Sequence, residues 1–410
     1  MREQALNKVT LRDACEAVEY GYTASATKER VGPRFLRITD IVPDSLDWEG
    51  VPFCEVEEGR KQKYLLRTGD IVIARTGATT GWAKYIKDPP EAVFASYLVR
   101  FRLRPSFDPR FVGFVIESQI YKEFIQKQMG GAAQPNANAQ ILGSFQLPIL
   151  PLDEQRRIAG ILSAYDDLIE NNRRRIKILE EMARALYREW FVHFRYPGHE
   201  NVPLIDSPLG PIPKGWEVKK LSQVAKVNRA QINARTAPEE LHYIDISSVS
   251  LGRVDSITTY CFAEAPGRAR RIVQHGDILW SCVRPNRRSH ALVLHPKPDT
   301  IASTGFCVLT ATDVPFTFLY EATTTDEFVA CLTNNATGAA YPAVTADTFE
   351  KADLLIPPQP LLDQFATTSL PLAEQVHVFR CQAFNLRLTR DLLLPRLLTV
   401  ACPTGKAYSL

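Results

Sequence analysis

A chain of 410 residues with 45% hydrophobic and 23% charged side chains has an ordinary globular composition, and its length suits two or more domains rather than one core. A formal net charge of +3 permits an anionic partner without demanding one, because attraction to phosphate depends on local clustering of Lys and Arg. No run of about 18 uncharged apolar residues occurs, and the opening MREQALNKVTLRDACEAVEY lacks a signal-peptide core, so no membrane association and a cytoplasmic location are expected. The eight cysteines form no C-x-x-C pair and the seven histidines show no ligand-like spacing, so the expectation is reduced, buried thiols and no metal site.

In chain order, the first region combines RFLRITDI (34–41) with TGDIVIARTG (68–77), which reads as a turn, a short buried strand and a polar loop. Gly69-Asp70-Ile71 returns as Gly276-Asp277-Ile278, displaced by 207 residues. The same displacement relates Ala95-Ser96 to Ala302-Ser303, Gly131 to Gly338, Pro135 to Pro342 and Pro151 to Pro358, while HYIDISSV (242–249) parallels RFLRITDI. A register kept over so many separate points marks an internal repeat.

After the first globule, Ile158, Leu162, Tyr165, Ile169, Asn172, Ile176, Leu179, Ala183, Leu186 and Trp190 alternate spacings of four and three, the seam of a coiled coil. Displaced by 207, the seam becomes Phe365, Ser369, Leu372, Val376, Phe379, Ala383, Leu386, Arg390, Leu393 and Leu397, weakened by its polar members. Pro371 is expected to kink or start this second helix and Pro395 to fray its end. The order globule, helix, globule, helix makes the two rods antiparallel, each on the order of 50 Å long. Asn172 either fixes register or caps a kink. Residues 195–221, dense in Pro and Gly, read as a linker.

Catalytic tools are scarce. GATTGWAK (77–84) is not a phosphate loop, no G-x-G-x-x-G follows a strand, and the carboxylates of EVEEG (55–59) and Asp166-Asp167 read as solvent-facing, so no catalytic residue is expected. The polar loops of the repeat are better candidates for recognition. The first half offers Arg75, Thr76, Thr79, Thr80 and Lys84 after the G-D-I strand, and Gln134, Asn136 and Asn138 in a later loop. The second half offers Arg284, Asn286, Arg287 and Arg288, with Tyr341 in the later loop. Arg suits guanine edges, Asn and Gln suit adenine, and Lys and Thr suit phosphates.

The stretches LPLDEQRRIAGILSAYDDLIENNRRRIKILEEMARALYREWFVHFR, PKGWEVKKLSQVAKV, IPPQPLLDQF and LLLPRLL, with the two G-D-I strands, give a chain that resembles the specificity subunits of type I restriction-modification systems over essentially its whole length. The resemblance implies an α+β fold: two similar target-recognition domains joined by two long antiparallel coiled-coil helices, a pseudo-twofold internal repeat. The expected boundaries are 1–151 and 216–357 for the domains, 152–195 and 358–400 for the helices, 196–215 for the linker and 401–410 for a tail. It further implies double-stranded DNA as partner, read as a bipartite asymmetric site with one half per domain and a gap set by the helices. Two modification (methyltransferase) subunits would dock on the helical regions and restriction subunits would join them. No cofactor is expected in this chain; S-adenosylmethionine, ATP and magnesium would belong to those partners. Two other readings remain open on residues alone: a protein-binding adaptor with a helical dimerisation rod, and a stand-alone nuclease or methyltransferase.

Overall fold

The computed structural model describes residues 8–42, 46–130, 136–338 and 340–400. Gln134 and the 401–410 tail lie outside them. The chain divides into two compact units, the first made of Met1–Asn172 with Gln382–Leu410 and the second of Arg173–Cys381.

The G-D-I turn sets up the central sheet of each unit. Gly69 and Gly276 stand at φ of +100° and +84°, where a side chain would be strained. The following Asp70 and Asp277 are 1% exposed, and each accepts the backbone N–H three residues earlier, from Arg67 at 2.9 Å and Gln274 at 2.8 Å. Asp70 also pairs with Arg102 (2.8 Å), whereas Asp277 accepts the hydroxyl of Thr310 (2.6 Å). A buried carboxylate demands such partners, and the two units satisfy the same turn with different chemistry.

The strand after the turn is apolar at successive positions because both faces are covered. Ile71 and Ile73 enter one core with the helix Pro109–Glu117, while Val72 and Ala74 enter another on the opposite face. In unit 2, Ile278 and Trp280 face one core and Leu279 the other. The unit 1 sheet runs Cys15–Tyr20, Leu98–Leu103, Ile71–Ala74, Ala83–Tyr85, all antiparallel. Unit 2 repeats that order with Ala225–Val227, Phe306–Ala311, Ile278–Ser281 and His290–Leu292. A parallel pair, Arg34–Leu36 with Ala92–Phe94, returns as Glu240–Ile244 with Thr300–Ser303. The helices Pro109–Glu117, Gln119–Met129 and Ala139–Gly143 return as Phe316–Thr324, Asp326–Asn334 and Ala346–Glu350, each start displaced by 207 residues.

Two long helices span Leu152–Tyr187 and Gln359–Val400. Within unit 1, Asp166 pairs with Arg390 and Asn172 Nδ2 reaches Gln382 Oε1 at 3.5 Å. Within unit 2, Arg175 lies over the Phe379 ring at 5.3 Å, Glu180 pairs with Arg380, and Trp190 meets Phe365 at 6.1 Å. Rising numbers on one helix meet falling numbers on the other, so the pairing is antiparallel. Among the described residues no helix is long and apolar enough to cross a membrane.

The helices are not separate segments, as 152–195 and 358–400 would have been. Ile158, Leu162, Leu394 and Leu398 share the unit 1 core, while Tyr187, Leu361, Leu362 and Phe365 share that of unit 2. The second helix runs unbroken through Pro371 and Pro395. Pro371 lies on the exposed side, with Phe365, Ser369 and Val376 buried on either side of it, and Leu394 and Leu398 hold the helix end. Packing thus outweighs the missing donors. The linker is also corrected: Tyr196, Ile212 and Trp216 are buried in the unit 2 core, with Tyr196 and Trp216 rings 5.5 Å apart. Its aromatic residues make it part of that unit.

Candidate nucleic-acid interface

Of the seam positions, Ile158, Leu162, Ile169, Asn172, Phe365 and Val376 are buried, and Tyr165, Ile176, Leu179, Leu186, Leu372, Phe379, Leu386 and Leu393 are half-buried. The two polar intruders have partners: Ser369 bonds Thr317 (2.7 Å), and Arg390 meets Asp166. Burial pushes the Asp166 carboxyl up against the pull of Arg390.

In unit 1 the sheet order brings three separate loops to one rim. Thr76 bridges to Asn136, and Arg75 Nη2 reaches Asn136 Oδ1 at 3.4 Å. The Arg75 guanidinium lies 5.0 Å from the ring of Tyr20, which is 43% exposed at the end of its strand. Arg75 Nε is buried with no hydrogen-bond partner. Arg75, Thr76 and Asn136 are therefore assembled together.

Other candidates are turned inward or engaged in local structure. Thr80 is buried and donates its hydroxyl to the Gly77 carbonyl (2.7 Å), closing the turn. Lys84 sits on the strand Ala83–Tyr85 with its ammonium 3.1 Å from Glu117, so it neutralises a helix carboxylate instead of facing a phosphate. Asn138 caps the helix Ala139–Gly143 by accepting the Ile141 N–H at 2.9 Å. Thr79 is half-buried in the same turn as Thr80, its carbonyl accepting from Trp82 N–H at 3.0 Å.

Unit 2 builds the equivalent rim. Val283 bridges to Ala343, displaced by 207 from the bridge between Thr76 and Asn136 at both ends. Arg284 is left-handed at φ +52°, and its guanidinium lies 4.6 Å from the ring of Tyr341, which is 68% exposed. Asn286 and Arg287 project from the single turn Pro285–Arg287, both exposed. Arg288 does not join them, because Asp326 at the start of the next helix takes its guanidinium and is itself held below the usual carboxylate range.

Each rim carries a guanidinium over a tyrosine ring, from non-equivalent positions: the repeat partner of Arg75 is Cys282 and that of Arg284 is Gly77. Arg-aromatic stacking holds each cation extended, with one Nη engaged at 3.4 Å, by Asn136 Oδ1 for Arg75 and by the Ala340 carbonyl for Arg284. Sequence reasoning missed Tyr20, whose signal is its place at the end of a strand neighbouring the central one, and Tyr97, 59% exposed, whose carbonyl accepts the Arg75 N–H.

A family model described as the type I restriction modification DNA specificity domain matches residues 7–181. The chain is 24% identical over 347 residues to the type I restriction enzyme MjaIX specificity subunit of Methanocaldococcus jannaschii, covering 80% of this chain and 74% of that one. It is 25% identical to the putative MjaX specificity subunit of the same organism, over 52% of this chain and 50% of that one. The crystal structure of a type I restriction-modification system S subunit from M. genitalium shares the fold, with 14% identity, a TM-score of 0.54 and coverage of 96% of this chain and 97% of that one. The family model ends within the first long helix, but unit 2 repeats the sheet order and helix starts of the matched part, and the similarity to the MjaIX subunit extends over most of the chain. On these grounds residues 7–181 match the type I restriction modification DNA specificity domain, and the chain is similar over most of its length to a type I restriction enzyme specificity subunit.

Proposed function

We propose that this chain is the sequence-specific DNA-binding subunit of a type I restriction-modification complex, each unit reading one half of a bipartite asymmetric site. The observation that carries this reading is the pair of rims: one scaffold built twice, with the same loop bridge, but with different exposed side chains at matching positions. A repeated frame with unlike loops suits recognition of two unlike half-sites. Arg75, Thr76 and Asn136 on one rim, and Arg284, Asn286, Arg287 and Tyr341 on the other, are the residues assigned to DNA.

Type I specificity subunits are non-catalytic, and we assign S-adenosylmethionine, ATP and magnesium to the partner subunits. The chain associates with modification and restriction subunits, and the finer assignment is two modification subunits docked on the long helices. Exposed apolar side chains support it: Phe384, Leu388 and Leu392 recur every fourth residue on one helix of unit 1 with Leu168 on the other, and unit 2 leaves Ile178 and Met182 more than half exposed.

The test is duplex binding by the chain with its modification subunit. Binding is expected to be specific for one bipartite sequence and to weaken steeply as salt rises. Binding that ignores sequence, or none at all, would contradict the proposal.

A further inference from the structure

Seven histidines dispersed along the sequence hide a cluster that the fold assembles in unit 2. His275 lies in the turn before Gly276-Asp277, His295 follows the strand His290–Leu292, and Glu374 sits midway along the second long helix. One ligand atom from each lies within 4.8 Å of the others. His295 Nε2 stands 2.9 and 3.0 Å from the two Glu374 oxygens, and the rings of His275 and His295 are 4.6 Å apart. His377, one turn further along the helix, brings a third imidazole to 5.2 Å from the His295 ring.

The internal repeat supplies a control. The matching positions in unit 1 are Thr68, Asp88 and Asp167. The backbone there is the same: Asp88 and His295 both adopt left-handed φ, of +43° and +47°. The Asp88 N–H donates to Thr68 Oγ1 at 3.0 Å, as the His295 N–H donates to His275 Nδ1 at 3.2 Å. The loop therefore needs only a side-chain acceptor at the first position, and a threonine suffices. Two imidazoles converging on a carboxylate exceed that structural need, and they are a donor set for a borderline metal ion.

The geometry points to a divalent transition-metal site of the zinc class, formed by His275, His295 and Glu374. Water would complete the coordination, since the two histidines are exposed and the glutamate half-buried. Binding displaces the proton shared by His295 Nε2 and Glu374. It also requires a lone pair from a His275 ring nitrogen, at the expense of the 3.2 Å bond in either case: a metal on Nδ1 takes the accepting lone pair, and a metal on Nε2 moves the ring proton to Nδ1. The ion would clasp the turn ahead of the Ile278–Ser281 strand and the loop after His290–Leu292 to the long helix. Unit 1 has a weaker tie in this region, an exposed ion pair between Lys87 and Asp167 at 3.4 Å.

The experiment titrates the chelator-treated full-length chain with zinc chloride alone by calorimetry, and with cobalt chloride while recording visible absorption. One equivalent per chain is expected, with ligand-field bands for cobalt. The variants are His275→Thr and His295→Asp, which use residues that the same backbone already carries in unit 1, and Glu374→Gln. Each is expected to weaken binding at least about tenfold, the low end of what loss of even an outer-shell partner costs. Circular dichroism and melting establish that the variants are folded. The absence of one-equivalent binding to the wild-type chain would overturn the site, as would binding that persists undiminished in all three folded variants.

Discussion

Glu321 offers a quantitative test of how unit 2 is built. It lies on the helix Phe316–Thr324, only 9% exposed, beside a cavity of about 70 Å³ lined by Leu179, Ala183, Leu372 and Val376. Burial pushes its carboxyl up from 4.5 to about 7, against the nearby Arg184 and with the nearby Glu180. Because the folded-state value is raised, the native state holds its proton more tightly than the unfolded chain. The associated stability is complete below about pH 4.5 and is lost as pH rises to about 7. At 1.36 kcal/mol per pH unit, the loss amounts to about 3 kcal/mol. Glu321→Gln keeps the shape and removes the charge, so above pH 7 the variant is expected to be more stable than the wild type by up to that amount. The gain should shrink toward zero near pH 4.5. Urea denaturation of both proteins at intervals from pH 4.5 to 8, followed by tryptophan fluorescence, measures the difference. A constant difference across that range, or a variant less stable at pH 8, would refute a buried carboxylate that resists ionisation.

Asp70→Asn strips Arg102 and the 3% exposed Arg100 of a buried carboxylate, so a loss of about 3–5 kcal/mol is expected in urea denaturation. Asp277→Asn leaves only neutral partners and should cost about 1 kcal/mol, so equal losses would contradict the partner assignment. Gly276→Ala places a Cβ 2.9 Å from the Phe316 ring at φ +84° and should cost about 1–3 kcal/mol; an unchanged melting temperature would speak against the strained turn. Replacing exposed Phe384 and Leu388 together by Glu should leave the melting temperature nearly unchanged and abolish co-purification with the modification subunit; an intact complex would remove that face from the docking assignment.

The scaffold was legible because its signals are local or periodic. The G-D-I turn repeats as a glycine at positive φ followed by a buried aspartate, and the helix seams follow from spacings of four and three. What stayed hidden depends on partners far along the chain. Lys84 is occupied by Glu117 and Arg288 by Asp326, so a basic residue after a strand does not declare whether it faces outward. Tyr20 joins Arg75 only through the strand order. The cluster of His275, His295 and Glu374 has no linear signature, since its carboxylate lies 79 residues beyond the nearer histidine. Pro371 misled because local propensity was weighed without the buried residues on either side of it.

The most direct measurement is methylome sequencing of cells carrying the modification subunit with the wild-type chain, with Arg75→Ala or with Arg287→Ala. The wild type is expected to give one bipartite methylated motif, and each variant to relax a different half of it, at a cost of about 1–3 kcal/mol for the base affected. If both substitutions alter the same half, or if neither changes the motif, the two units do not each read their own part of the site.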